Sequence, residues 1–250
     1  MSEWPFSQAH RPVIVAHRGA SAECPENTLV AVERAILRGA DAVEFDVRVT
    51  ADGHGIVMHD DTVDRTTDGA GAVAELPLDH LRELRADGEP VPTAGEVLAL
   101  LSGRCAAVIE IKHAPGDAGS GVRAADEALR ALDVVGFEGP AVCISFDPVA
   151  LAHVRGVAPD RMTGLLASYE VAVADAAAAA VAGGHGFVLP FAPQVLAGGR
   201  APVDGAHAAG LKVGTWVSDD PADAITLAAL DVDAIATNDP AAIVAAMDRP

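Results

Sequence analysis

Cysteine is scarce in this chain. Cys24, Cys105 and Cys143 are the only thiols in 250 residues, an odd number at spacings that suit neither a disulfide framework nor a zinc site. Reduced, mostly buried thiols are the expectation. Lysine is scarcer still, with only Lys112 and Lys212. The 17 basic residues face 36 acidic ones, for a net charge of -19. No basic stripe offsets that field, which excludes nucleic acid and anionic membrane as long-range partners. An anionic substrate would need local compensation, and a divalent cation can supply it. No apolar run reaches the roughly 18 residues of a membrane span. The longest bland stretch, residues 172–184, is Ala-rich, broken by Asp175 and closed by Gly183 and Gly184, which reads as a small-residue helix with a glycine stop. The opening MSEWPFSQAHRP has no basic segment leading into an apolar one. No signal peptide, no stable membrane association and a cytoplasmic location are therefore expected.

What is present is ordinary globular material, 50% hydrophobic and 21% charged, and short apolar runs alternate with Ala/Leu-rich segments. Strands are expected at 13–16, 42–49, 106–111, 141–145, 162–167, 186–189, 211–217 and 234–237. Helices are expected at 27–37, 93–101, 122–135, 148–154, 172–184, 203–209, 221–230 and 240–247. Eight strands each followed by a helix argue for an α/β fold, a (β/α)8 TIM barrel spanning 1–250 as one domain. Residues 51–92 are too long for a plain strand-to-helix loop. They carry a strand at 56–58, a Gly-rich tract at 68–71 and a helix near 78–84, and read as a small insertion on the barrel top that shapes the substrate pocket.

In such a barrel, chemistry sits at the C-terminal strand ends. The first strand ends in His17-Arg18-Gly19, the second carries Glu44 and Asp46, and the third ends in Glu110-Ile111-Lys112. A spacing of two puts both carboxylates of the second strand on one face. Three converging carboxylates form a hard oxygen site for Mg²⁺ or Ca²⁺; the alternative is an ion pair with Lys112 or Arg18 and no metal. His59 follows the Asp52-Gly53 turn. A two-residue turn pairs it with Asp46, whereas a turn longer by one residue inverts the face. His17 and His59 flanking a cation suit a general acid and base. Arg18 and Lys112 add phosphate-directed charge, and Trp216 at the top of the seventh strand suits a pocket wall. His10, His54, His80, His113, His153, His185 and His207 read as surface or packing residues. Asn27 or Thr28 reads as a helix cap with Glu26 near its positive end, the alternative being a supporting polar contact from Glu26 or Asn27 to the site. Asp60 and Asp61 read as facing water, the alternative being to orient His59.

HRGASAECPENT (17–28), EFDV (44–47), HDDTVDRTTDGAG (59–71), PVPTAGEVL (90–98) and EIK (110–112) together resemble the glycerophosphodiester phosphodiesterase family in order and spacing. The later half matches less specifically, through SF (145–146), GTWV (214–217) and DAIATNDP (233–240). The resemblance implies a (β/α)8 barrel that hydrolyses glycerophosphodiesters to sn-glycerol 3-phosphate and an alcohol. It implies Glu44, Asp46 and Glu110 as ligands of a divalent metal, His17 and His59 as the acid/base pair, and Arg18 and Lys112 on the phosphate. The partner so implied is a small-molecule glycerophosphodiester; no oligomeric state follows. Two departures stand out. Family members commonly read WTVN where this chain has Trp216-Val217-Ser218-Asp219, and TDxP where it has Thr237-Asn238-Asp239-Pro240. Both are expected to touch the alcohol side of the pocket and neither the metal nor the acid/base groups. The alternatives are a diesterase acting on lysophospholipids or other phosphodiesters, and a non-catalytic barrel that binds phosphate esters.

Overall fold

The computed structural model describes residues 11–114 and 116–248. Its strands, in chain order, are β1 (Val13–His17), β2 (Ala42–Val49), β3 (Gly55–Val57), β4 (Arg85–Ala86), β5 (Glu89–Pro90), β6 (Ala106–Ile111), β7 (Ala141–Ser145), β8 (Met162–Leu166), β9 (Phe187–Leu189), β10 (Lys212–Thr215) and β11 (Ala234–Thr237). Eight of these pair in parallel around a ring in the order β1, β2, β6, β7, β8, β9, β10, β11, and β11 pairs back onto β1 to close it. The expected TIM barrel is therefore the fold, with helices packed around a closed parallel sheet.

The helices are α1 (Leu29–Leu37), α2 (Leu78–Glu83), α3 (Ala94–Leu101), α4 (Ser120–Val135), α5 (Pro148–Val157), α6 (Val173–Ala182), α7 (Ala192–Gly198), α8 (Arg200–Ala208), α9 (Pro221–Ala229) and α10 (Pro240–Met247). Local chemistry explains where they start. Asp147, Asp220 and Asp239 each accept a backbone N–H from the first turn, and Pro148, Pro221 and Pro240 follow at the first helical position. A proline there loses no hydrogen bond, and each cap contributes about 1 kcal/mol. Thr93 and Glu96 form a reciprocal capping box at α3. The seven-residue α7 was not expected from the sequence. Pro193 lies in its first turn and Gly198 and Gly199 close it, so its apolar pattern is too short to show a helical period.

Alternation along each strand sorts the core into two layers. Ile14, Ala16, Val43, Phe45, Val47, Ala107, Ile109, Val188, Val213 and Ile235 face outward and are buried under the helices. Val13, Val15, Ala42, Ala106, Val108, Val142, Ile144, Leu166, Phe187 and Ala234 fill the inside of the ring.

The segment after β2 builds its own small core from Ile56, Met58, Val63, Val73, Leu81, Leu84 and Val91. Its β3 runs antiparallel to β2, pairing Val47 with Val57, Arg48 with Ile56 and Val49 with Gly55. This register overturns the pairing of Asp46 with His59. The Thr50 N–H donates to the His54 carbonyl, and Thr50 Oγ1 to Asp52, so the turn spans three residues and the ladder slips by one. Among the described residues no helix is long and apolar enough to cross a membrane. The N-terminal residues read for a signal peptide, with His10, fall at 1–10, outside the described residues.

Candidate active site

Three inner columns of the barrel climb from apolar to polar toward the C-terminal strand ends. Val13 and Val15 lead to His17, Ala42 leads to Glu44 and Asp46, and Ala106 and Val108 lead to Glu110 and then Lys112. Because β1, β2 and β6 are neighbours, these three polar column tops converge.

Glu44, Asp46 and Glu110 are buried, and each offers a carboxylate oxygen within 4.8 Å of the others. Two cations thread between them. Lys112 Nζ lies 2.9 Å from Asp46 Oδ1 and 2.5 Å from Glu110 Oε1. Arg18 Nε lies 3.4 Å from Asp46 Oδ2, and the Arg18 N–H donates to Glu44 Oε2 at 2.9 Å. Burial, reinforced by the Asp46 charge, pushes Glu44 up to about 8 and Glu110 up to about 7. Asp46 is desolvated too, but Lys112 and Arg18 hold its carboxyl well below the usual range. Burial pulls Lys112 down, and Asp46 and Glu110 together raise it above its ordinary value. Glu44 Oε1 is buried without a hydrogen-bond partner. An orphaned oxygen among three all-oxygen donors fits a hard divalent cation, which would replace protons on two strained carboxylates.

Both histidines line the cavity above this cluster. His17 Nδ1 is 2.7 Å from Asn238 Oδ1, and His59 Nδ1 is 2.6 Å from Asp60 Oδ1. Burial lowers both imidazoles below 6.5; Arg18 lowers His17 further, while Asp46 opposes the shift at His59. His59 reaches the cavity despite the slipped register because the ladder runs only as far as Met58, whose N–H donates to the Asp46 carbonyl at 3.1 Å. Beyond it the chain leaves the ladder, and Arg48 Nε and Nη2 grip the His59 carbonyl at 2.9 and 2.7 Å.

The cavity encloses about 280 Å³. Its mouth carries His17, Arg18, His59 and Lys112, and its depth is apolar, with Val15, Val142, Ile144, Leu166 and Ala234 among the walls. Trp216 stands just past β10 and forms one wall. It is held by its Nε1 donating to the Leu189 carbonyl at 3.0 Å and by ring contacts to Phe146 and Phe191.

For Asn27, Glu26 and Asp60 the geometry favours the supporting alternative. Asn27 does not cap α1, a task that Thr28 performs; its side chain binds Asp46. Glu26 bridges Arg18 and Arg65, and Arg65 continues to Asp60 at 2.5 Å, so a continuous chain of charges joins Arg18 to His59. Asp60 therefore faces His59 rather than water. Asn238 touches His17, which corrects the expectation that the departure at 238 spares the acid/base groups. Parity signals this in the sequence, since Asn238 continues the inner column of Ala234 and Ala236 on the strand that closes against β1. Of the remaining histidines, His54, His80 and His113 are exposed, and His153, His185 and His207 bind Asp126, Thr163 and Asp233 away from the cavity.

Comparison with known proteins agrees with this geometry. The profile of the Glycerophosphoryl diester phosphodiesterase family matches residues 17–242. A glycerophosphodiester phosphodiesterase from Caldanaerobacter subterraneus is 32% identical over 251 residues, covering 94% of this chain and 97% of that protein. Among solved structures, an Oleispira antarctica phosphodiesterase in complex with the product sn-glycerol-3-phosphate superposes with a TM-score of 0.85 at 26% identity, covering 96% of this chain and 98% of that one. A glycerophosphodiester phosphodiesterase from Agrobacterium tumefaciens superposes with a TM-score of 0.79 at 27% identity, covering 94% and 99%. This chain belongs to the glycerophosphoryl diester phosphodiesterase family.

Proposed function

We propose that this chain hydrolyses glycerophosphodiesters to sn-glycerol 3-phosphate and an alcohol. In this reading Glu44, Asp46 and Glu110 hold a divalent cation, Mg²⁺ or Ca²⁺, and His17 and His59 move the protons. The observation that carries it is the meeting of three buried carboxylates, two cationic side chains and two imidazoles at one cavity. The product bound in the Oleispira relative supports the same product here.

When bound, the cation supplies Lewis-acid polarisation of a non-bridging phosphate oxygen. Arg18 and Lys112 orient the phosphate and offset negative charge as it builds in the transition state. One imidazole takes the proton of the attacking oxygen as it bonds to phosphorus. Water leads directly to glycerol 3-phosphate, whereas the glycerol C2 hydroxyl leads to a cyclic phosphate that a water then opens to glycerol 3-phosphate with the same proton transfers in reverse. The bond from phosphorus to the leaving oxygen breaks, and the other imidazole protonates that oxygen. Trp216 walls the glycerol moiety, and residues 51–92, as a small insertion within one 1–250 domain, carry His59 to the mouth. Three free thiols suit a cytoplasmic compartment.

The apolar depth of the cavity favours one second reading, in which the diester carries an apolar group, as lysophospholipids do. A substrate panel run with several divalent ions tests both, with glycerophosphocholine scored by glycerol 3-phosphate release and a lysophospholipid by release of its head-group alcohol. Turnover that survives exhaustive chelation would contradict the cation's role. Tight binding of glycerol phosphate without turnover of any diester would point to the non-catalytic alternative.

A further inference from the structure

Three strands in a row, β10, β11 and β1, each send one polar residue past their C-terminal ends to a single hydrogen-bonded file. Asp219 follows β10, Asn238 follows β11 and His17 ends β1. Asn238 Nδ2 donates to Asp219 Oδ2 at 2.7 Å, and the Asn238 backbone N–H donates to Asp219 Oδ1 at 2.7 Å. Thr237 Oγ1 also donates to Asp219 Oδ1, at 2.9 Å. On the other side, Asn238 Oδ1 lies 2.7 Å from His17 Nδ1 and accepts from Ser21 Oγ at 2.9 Å.

An ionised carboxylate only accepts hydrogen bonds, so the amide group facing Asp219 is the NH₂. The amide group facing His17 is then the carbonyl, and the hydrogen on that contact comes from Nδ1.

We propose that Asn238, oriented by Asp219, is the positioning residue that holds His17 in its Nδ1–H tautomer, leaving Nε2 as the ring nitrogen that exchanges protons with substrate. The proposal rests on the reading of His17 as an acid/base group. The file also explains why the residue on the ring is an amide. Three carboxylates already crowd the polar end of the cavity. A neutral acceptor fixes the ring without adding a fourth charge in contact with it, while the formal charge sits one residue out, on the exposed Asp219.

The test is long-range ¹H–¹⁵N correlation of ¹⁵N-labelled protein at about pH 8, where the ring is neutral, with His17 assigned by its loss in His17→Ala. Native protein is expected to carry the His17 proton on Nδ1. Asp219→Ala frees the amide to turn over and is expected to populate the Nε2–H form. Asn238→Leu removes the acceptor altogether. Each is expected to lower kcat roughly 10–100-fold with KM changed by less than about threefold. The exchanged pair Asp219→Asn with Asn238→Asp again presents an acceptor to Nδ1 and is expected to recover most of kcat. Asp219 is exposed, so its variants keep the fold even if a change at Asn238 does not. An Nε2–H tautomer in native protein would overturn the proposal, as would unchanged kcat in both Asp219→Ala and Asn238→Leu. A chain that turns over no diester overturns the hydrolase reading instead, and the NMR arm still decides the tautomer.

Discussion

Asn27 grips Asp46 twice: its Nδ2 donates to Asp46 Oδ2 at 2.7 Å, and its Oδ1 accepts the Asp46 backbone N–H at 3.3 Å. It does so from a left-handed backbone, φ 60°, a conformation asparagine tolerates better than most residues. The two bonds aim a fully buried carboxylate, and they suggest a first measurement. Asn27→Ala should weaken Mg²⁺ or Ca²⁺ binding roughly 10–100-fold, the usual effect of losing a group that orients a metal ligand. Titration calorimetry reads this directly, and an affinity within about twofold of the parent would remove Asn27 from that role.

His17→Ala and His59→Ala should each lose on the order of 10²–10⁴-fold in kcat, the range for a general acid or base. Circular dichroism should show both folds intact. Near-parental glycerol 3-phosphate release by either variant would take that residue out of the proton transfers.

Stability of the chelated protein should fall as pH rises from about 6.5 to about 8. Glu44, raised from 4.5 to about 8, and Glu110, raised to about 7, hold protons in the folded chain that the unfolded chain releases. Their contribution is complete below the unfolded value and is lost as pH climbs through the folded one. His17 and His59, lowered below 6.5, act in the opposite sense, but only at and below that pH. Melting curves with and without Mg²⁺ or Ca²⁺ test this. The ion should flatten the slope, and a chelated protein with no slope in this window would argue against strained carboxylates.

Gly19→Ala should be strongly destabilising. Gly19 adopts φ 79°, and an added Cβ would sit 2.6–2.8 Å from the backbone and side chain of Ala31. The left-handed conformation alone costs roughly 1–3 kcal/mol for a side chain. The overlap adds to it unless α1 shifts, which would also displace Arg18. Urea unfolding and kcat should fall together; a variant as stable as the parent would show that the β1–α1 connection relaxes freely.

Much of this architecture is legible in the chain because parallel barrel strands are short, doubly buried and bounded by helices. Every ring strand falls within a residue or two of its expected span. The convergence of His17, Glu44, Asp46, Glu110 and Lys112 follows from alternation alone once the ring closes. The supports are less legible. Asp60 neighbours His59 in sequence, yet only Arg65 and Glu26 decide which way it faces. The β2–β3 register turned on one residue of turn length, set by the Thr50 side chain rather than by the Asp52-Gly53 pair. Asn238 and His17 lie 221 positions apart, and parity connects them only once β11 is known to close against β1.

That separation bears on biosynthesis. β1 emerges from the ribosome long before its seam partner β11. Until then the imidazole of His17 has no amide to lean on, and the sheet has an open edge. A nascent polypeptide stalled before residue 238 would carry every metal-ligand candidate and both histidines yet remain catalytically unready, so activity should switch on only once β11 has been made rather than grow in step with length.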